Sequence, residues 1–126
     1  MIDHVTLQVA DVPTSMRFYE ALLAPLQMRL DVDDGTVAGF FGPDTDTGSF
    51  WLGPAQRPQD RELHLAFRAA DRNVVRSFHE AAVAIGAEIL HEPRTFPEYG
   101  EDYFGAFVRD PDGHNIEAVC RTAEAD

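Results

Sequence analysis

At 126 residues the chain has the length of one domain with a single buried core, and 22 acidic against 10 basic residues give a net charge of −12, which repels a phosphate backbone and excludes nucleic acid as a partner. All ten basic residues are arginine, so mechanisms that need a lysine, as Schiff base or phosphate clamp, are excluded too. No apolar run reaches membrane-spanning length, and with the opening Met-Ile-Asp-His the sequence predicts no transmembrane helix, no signal peptide, no membrane partner and a cytoplasmic location.

From Ile2 to Ala10 the residues alternate, with Val5, Leu7 and Val9 on one face and His4, Thr6 and Gln8 on the other, which predicts a first strand. Asp11 and Pro13 suit the start of a helix in which Met16, Tyr19, Leu22 and Leu23 share a side, ending near Pro25. Short extended segments are expected at Gln27 to Val32, Thr36 to Phe41 and Ser49 to Gly53, separated by Asp33-Asp34-Gly35 and the turn-rich stretch Gly42 to Gly48. The polar, proline-bearing stretch 55–61 reads as a linker. Leu63, Leu65 and Phe67 then alternate with Glu62, His64, Ala66 and Arg68, and Asp71 caps a second helix carrying Val74, Phe78, Ala81, Ala82 and Ile85, which stops at Gly86. Extended runs follow at Glu88 to His91, Tyr103 to Arg109 and His114 to Cys120, around a loop from Glu92 to Asp102.

The opening pattern therefore returns. A shift of 60 residues lays His4 on His64, Asp11 on Asp71, Phe18 on Phe78 and Ala24 on Ala84 without a gap. The chain reads as one domain of two βαβββ modules, about 1–54 and 62–121. The last strand follows Asp110-Pro111-Asp112-Gly113, a type I turn sequence. Its alternation puts Ile116, Ala118 and Cys120 toward the core and Glu117 off it, either solvated or a ligand. Cys120, the single cysteine, excludes an internal disulfide and reads as a buried, inert thiol. His4 and His64 have the same off-core parity as Glu117.

The paired His-Val-Thr-Leu and His-Leu-Ala-Phe strands, the duplication and the closing Asp-Pro-Asp-Gly-His-Asn-Ile-Glu resemble the vicinal oxygen chelate superfamily, which includes glyoxalase I, bleomycin-binding resistance proteins, fosfomycin resistance proteins and type I extradiol dioxygenases. The resemblance implies an α+β fold, two tandem βαβββ modules forming a cup-shaped eight-stranded mixed sheet with helices on its outer face, usually in a homodimer. It implies a divalent metal, one of Fe, Mn, Co, Ni or Zn, on His4, His64 and Glu117, with open positions for a substrate that chelates through two adjacent oxygens. His114 has the wrong parity for that site, His79 lies on a helix, and His91 lies near the loop.

The same resemblance separates the family's activities. Glyoxalase I carries a glutamate where this chain has Trp51, and a tryptophan there is a wall for an apolar or aromatic substrate. The second-shell tyrosine of ring-cleaving dioxygenases, ten residues before the glutamate, is here Phe107, and no histidine precedes His64 in the way those enzymes require. Fosfomycin transferases share Thr6, but their lysine is missing. The expected activity is a glyoxalase-like, metal-dependent lyase or isomerase acting on a small carbonyl or diol compound. Thr6, Trp51, Phe107 and Arg94 are the expected substrate contacts, and Glu117, Tyr99 and Tyr103, with Glu98 nearby, are the groups for catalysis and proton transfer. Alternatively the tyrosines only close the pocket, and the protein binds a flat or cationic compound as bleomycin-resistance proteins do, with Trp51, Tyr103 and Phe107 as its walls.

Overall fold

The computed structural model describes residues 2–44, 48–58 and 60–123, and the chain divides into two compact units, Met1–Arg61 and Glu62–Asp126. In the first, β1 (His4–Val9) leads into α1 (Val12–Leu23), a single 3-10 turn (Ala24–Leu26), β2 (Arg29–Asp33), β3 (Ala38–Phe41) and β4 (Ser49–Pro54). In the second, β5 (His64–Arg68) leads into α2 (Arg72–Ala84), β6 (Ile89–Thr95), β7 (Phe104–Arg109) and β8 (Asn115–Cys120). Both units are βαβββ modules. Among the described residues no helix is long and apolar enough to cross a membrane.

The cup-shaped eight-stranded sheet expected from the sequence is not what the strands form. They pair in two separate four-stranded sheets, ordered β1-β4-β3-β2 and β5-β8-β7-β6. The reason lies in the crossovers: each helix returns the chain so that the first strand of its module lies parallel to the last strand of the same module, β1 beside β4 and β5 beside β8. The remaining two pairings in each module are antiparallel, so every ladder closes within its own half.

Each helix covers one face of its sheet. In the first module Val12, Tyr19, Leu22 and Leu23 are buried on α1, and Tyr19 meets Phe50 of β4 edge-on at 4.9 Å. Val75, Phe78 and Ala82 are the buried stripe of α2, whereas Ile85, expected on that stripe, is 38% exposed because the helix has already ended at Ala84. Gly86 takes φ 75° there, and the N–H of Gly86 and Ala87 reach back to Val83 and Ala82, a Schellman ending. Arg72 and Arg76 of α2 lie over Phe104, so the face of β7 that carries Phe104, Ala106 and Val108 is the helix side. Tyr103, Gly105 and Phe107 have the opposite parity.

Local chemistry fixes the turns. Asp34 Oδ1 accepts from Thr36 and Val37 N–H at 2.9 Å each, which holds its carboxyl below the ordinary range, while Gly35 supplies the positive φ, 86°, of this β2–β3 connection. In the β7–β8 hairpin Asp110 Oδ1 accepts from Asp112 N–H at 2.9 Å and His114 N–H at 2.8 Å. His114 is buried and its Nδ1 accepts from Leu63 N–H at 2.9 Å, while Asn115 N–H donates to Leu63 O at the same distance. The Asp-Pro-Asp-Gly-His segment is thus a clip that holds β5 against β8. It also explains why Leu63 stays exposed: its backbone is held while its side chain lies beyond the strand.

Candidate functional site

The site-bearing face of the second module is the one turned away from α2. In sheet order its strands contribute His64 from β5, Glu117 from β8, Tyr103, Gly105 and Phe107 from β7 and the segment before it, and His91 from β6. Ala66, Glu117, Phe107 and His91 lie in register across the four strands. Glu117 is 1% exposed, although alternation alone left it on a half-open face. Phe96, Tyr103, Phe107 and Val119, with Leu90 beside them, form a second apolar cluster on this side and take the carboxylate out of water.

A buried carboxylate needs partners, and Glu117 has two. His64 Nε2 lies 2.9 Å from Oε1, and the Tyr103 hydroxyl donates to Oε2. Burial, the bond to Glu117 and the charge of Glu117 push the Tyr103 phenol up to about 12. It therefore stays protonated and donates. Gly105 makes the arrangement fit: a Cβ there would stand 3.2 Å from Glu117 Oε2 and 3.3 Å from the Ala118 carbonyl oxygen. Asn115 shares this face, and its buried Oδ1 has no hydrogen-bond partner among the described residues.

The other residues singled out from the sequence flank this core. Tyr99 is exposed, stacked on Phe96 at 5.5 Å and edge-on to Tyr103 at 5.4 Å. Arg94 lies on β6 and not in a loop, because the strand runs on to Thr95. It tolerates Pro93 as an edge strand whose register shifts between His91 and Arg94. The Arg94 guanidinium sits 3.7 Å over Phe96, donates to Thr95 O at 2.8 Å and pairs with Glu98 at 3.5 Å. Beyond Tyr103 a hollow of about 320 Å³ is lined by Gly100, Glu101, Asp102 and Arg121.

In the first module Thr6 pairs with Trp51 and His4 with Ser49 across β1 and β4. His4 is exposed, and its Nδ1 bonds Asp3 Oδ1 at 2.8 Å, an arrangement that leaves Nε2 as the outward nitrogen. Trp51 donates from Nε1 to Ser49 Oγ at 2.9 Å and meets Phe41 edge-on at 5.5 Å. The stretch Gly42 to Gly48 lies partly outside the described residues.

Among the described residues no three His, Cys, Asp or Glu side chains gather as a metal-holding group. A pair does. Two ligands at ~2.1 Å from one divalent ion, in cis positions, stand ~3 Å apart. The 2.9 Å between His64 Nε2 and Glu117 Oε1 has that separation, and the proton they share is what an ion would displace. Tyr103 occupies the other carboxylate oxygen and leaves Oε1 available. The donor types and spacing in this module therefore fit a divalent metal, contributing two of its ligands.

Sequence reasoning missed Gly105, Phe96 and the clip at His114. Gly105 and Tyr103 share parity with Phe107, so alternation carried that signal; the packing of Phe96 depends on the turn that follows β6, and no periodicity encodes it.

Two modules of one topology, one presenting an imidazole and a buried carboxylate on its open sheet face, define a duplicated βαβββ protein with a polar site. A family model of the Glyoxalase/Bleomycin resistance protein/Dioxygenase superfamily matches residues 1–118. The crystal structure of a glyoxalase/bleomycin resistance protein from Albidiferax ferrireducens T118 is 30% identical, with a TM-score of 0.80 over 96% of this chain and 99% of the other. A glyoxalase/dioxygenase from Nostoc punctiforme is 25% identical, with a TM-score of 0.71 over 97% of this chain and 91% of its own. Lactoylglutathione lyase from Agrobacterium tumefaciens, 17% identical, shares the fold at a TM-score of 0.70 over 95% of this chain and 92% of its own. No curated protein matches the sequence. The chain belongs to the Glyoxalase/Bleomycin resistance protein/Dioxygenase superfamily.

Proposed function

We propose that the protein is a glyoxalase-like enzyme of this superfamily, a cytoplasmic homodimer acting on a small substrate with adjacent carbonyl or hydroxyl oxygens. The observation that carries this reading is the buried Glu117, with His64 Nε2 at 2.9 Å on one oxygen and Tyr103 on the other. His64 and Glu117 would hold the divalent metal, and the resemblance adds His4 as a third ligand. A divalent metal bound there supplies Lewis acidity toward the substrate oxygens. Tyr103 fixes the carboxylate by donating to Oε2, and its raised pKa restricts it to giving a proton, not taking one, at neutral pH. The apolar cluster around Phe107 excludes water from the carboxylate, which strengthens both of its bonds. Thr6, Trp51 and Phe107 are the proposed substrate contacts, backed by Arg94 through its guanidinium 3.7 Å over Phe96, and Tyr99, on the exposed side of Tyr103, is the second group for proton transfer.

The aromatic array of Phe96, Tyr99, Tyr103 and Phe107 favours a second reading, a binding protein of the bleomycin-resistance kind. One experiment separates the two. Metal-loaded protein is incubated with α-keto aldehydes, hydroxy ketones and vicinal diols, before and after chelation and as Glu117→Gln. Chelator-sensitive turnover that Glu117→Gln abolishes is expected. Ligand binding that needs no metal and leads to no product would replace the enzyme with the binding protein.

A further inference from the structure

We propose that His91 holds a carboxylate at the far end of the substrate, so that the substrate is a small flat compound with chelating oxygens at one end and an anionic group at the other. The proposal rests on the reading of His64 and Glu117 as the metal-side end of the site. Three observations carry it. The sheet order β5-β8-β7-β6 sets His64 and Glu117 on one side of Phe107 and His91 on the other, with Glu117, Phe107 and His91 in register. Phe107 touches both imidazoles, at ring-centroid distances of 5.8 Å to His64 and 5.3 Å to His91. The two histidines are therefore no further apart than these contacts laid end to end, a span one aromatic ring with substituents at both ends can bridge.

The second observation is that the His91 ring is held without being used. Near-perpendicular contacts to Phe107, at 77°, and to Phe96, at 88°, fix its orientation, and it makes no hydrogen bond to any described residue. An exposed donor whose orientation is already fixed gives up little entropy on binding. Third, the other basic group on β6 is committed: Arg94 spends its guanidinium on Thr95 O, Glu98 and the ring of Phe96. In a chain of net charge −12, His91 is the donor that this strand leaves for an anion.

The test uses Zn(II)-loaded protein and two chelating probes, catechol and 3,4-dihydroxybenzoate, which differ by a carboxylate opposite the diol. Calorimetric titrations compare the native protein with His91→Ala and His91→Gln. The native protein is expected to bind 3,4-dihydroxybenzoate about tenfold more tightly than catechol, the worth of one charge-assisted hydrogen bond. His91→Ala should erase the preference while leaving catechol unchanged, and His91→Gln should keep part of it. Equal affinities in the native protein, or a preference that survives His91→Ala, would overturn the role of His91 alone. Failure of both probes to bind the metal-loaded native protein would overturn the metal-side reading, and the His91 proposal with it.

Discussion

Trp51 and Glu117 occupy the same place in the two modules, each on the last strand and each beside the third residue of the first strand: Thr6 pairs with Trp51, and Ala66 with Glu117. Their surroundings differ in one register step. In the first module Trp51 pairs directly with Gly39, where a Cβ would come within 2.7 Å of the indole ring. In the second the direct partner of Glu117 is Phe107, and Gly105 lies diagonally behind it, opposite Val119. Both modules clear room for a large side chain with a glycine on the adjacent strand. One fills the room with an indole tied to Ser49, the other with a carboxylate tied to His64 and Tyr103. The two halves thus share the socket and differ in what fills it: in one an indole, proposed above as a substrate contact, in the other a hydrogen-bonded carboxylate.

The largest effect expected from breaking this comparison is at Tyr103. Tyr103→Phe leaves Glu117 Oε2 buried with no donor, which costs about 1–3 kcal/mol of stability in urea unfolding. Ser49→Ala, which removes the acceptor of the Trp51 indole N–H in a half-buried setting, should cost about 1 kcal/mol or less. The Tyr103 bond also has a pH signature. A folded-state pKa raised from 10.0 to about 12 means that this contribution is fully present below pH 10 and is lost as the pH rises through about 12. A spectrophotometric titration should find one fewer late-ionising tyrosine in Tyr103→Phe than in the native protein.

The two glycines come next. Gly105→Ala should cost about 1–2 kcal/mol and weaken metal affinity, since the new methyl group presses on Glu117 and on the Ala118 carbonyl. At Gly39 the obstacle is a half-buried indole that can swing aside, so Gly39→Ala should change tryptophan fluorescence and leave metal affinity alone. Equal effects of the two on metal uptake would break the assignment of wall and site. The smallest contrast is in the helix caps. Asp71 accepts from Val74 N–H at 2.9 Å, whereas Asp11 spends its carboxylate on the Thr14 hydroxyl at 2.7 Å. Asp71→Ala should cost ~1 kcal/mol and Asp11→Ala a few tenths, by thermal unfolding.

Much of this was legible in the sequence because alternation and repetition are local signals. The parity of Val5, Leu7 and Val9 set His4 and Thr6 on the open face of β1, and the 60-residue shift carried the same reading to His64. Which strands hydrogen-bond to which is not a periodic property, and the single eight-stranded sheet failed there: nothing in the spacing of β1 or β5 says that its neighbour is the last strand of its own half. The burial of Glu117 was hidden for a related reason. Its cover comes from Phe96 and Tyr103, which the turn closed by Phe96 N–H to Tyr103 O, at 2.8 Å, brings onto the sheet. His114 was set aside as a metal ligand on parity, but its use as an acceptor for Leu63 N–H needed the three-dimensional pairing of β5 with β8.

The most direct test of the central claim, that Glu117 and His64 are two of the ligands of a metal site, is elemental analysis of untagged protein purified without chelator, alongside Glu117→Ala. The account predicts about one divalent ion per chain in the native protein, absent from a variant that keeps its circular dichroism spectrum. A native protein that is metal-free and takes up no added Mn, Ni or Zn, or a variant that retains full occupancy, would contradict it.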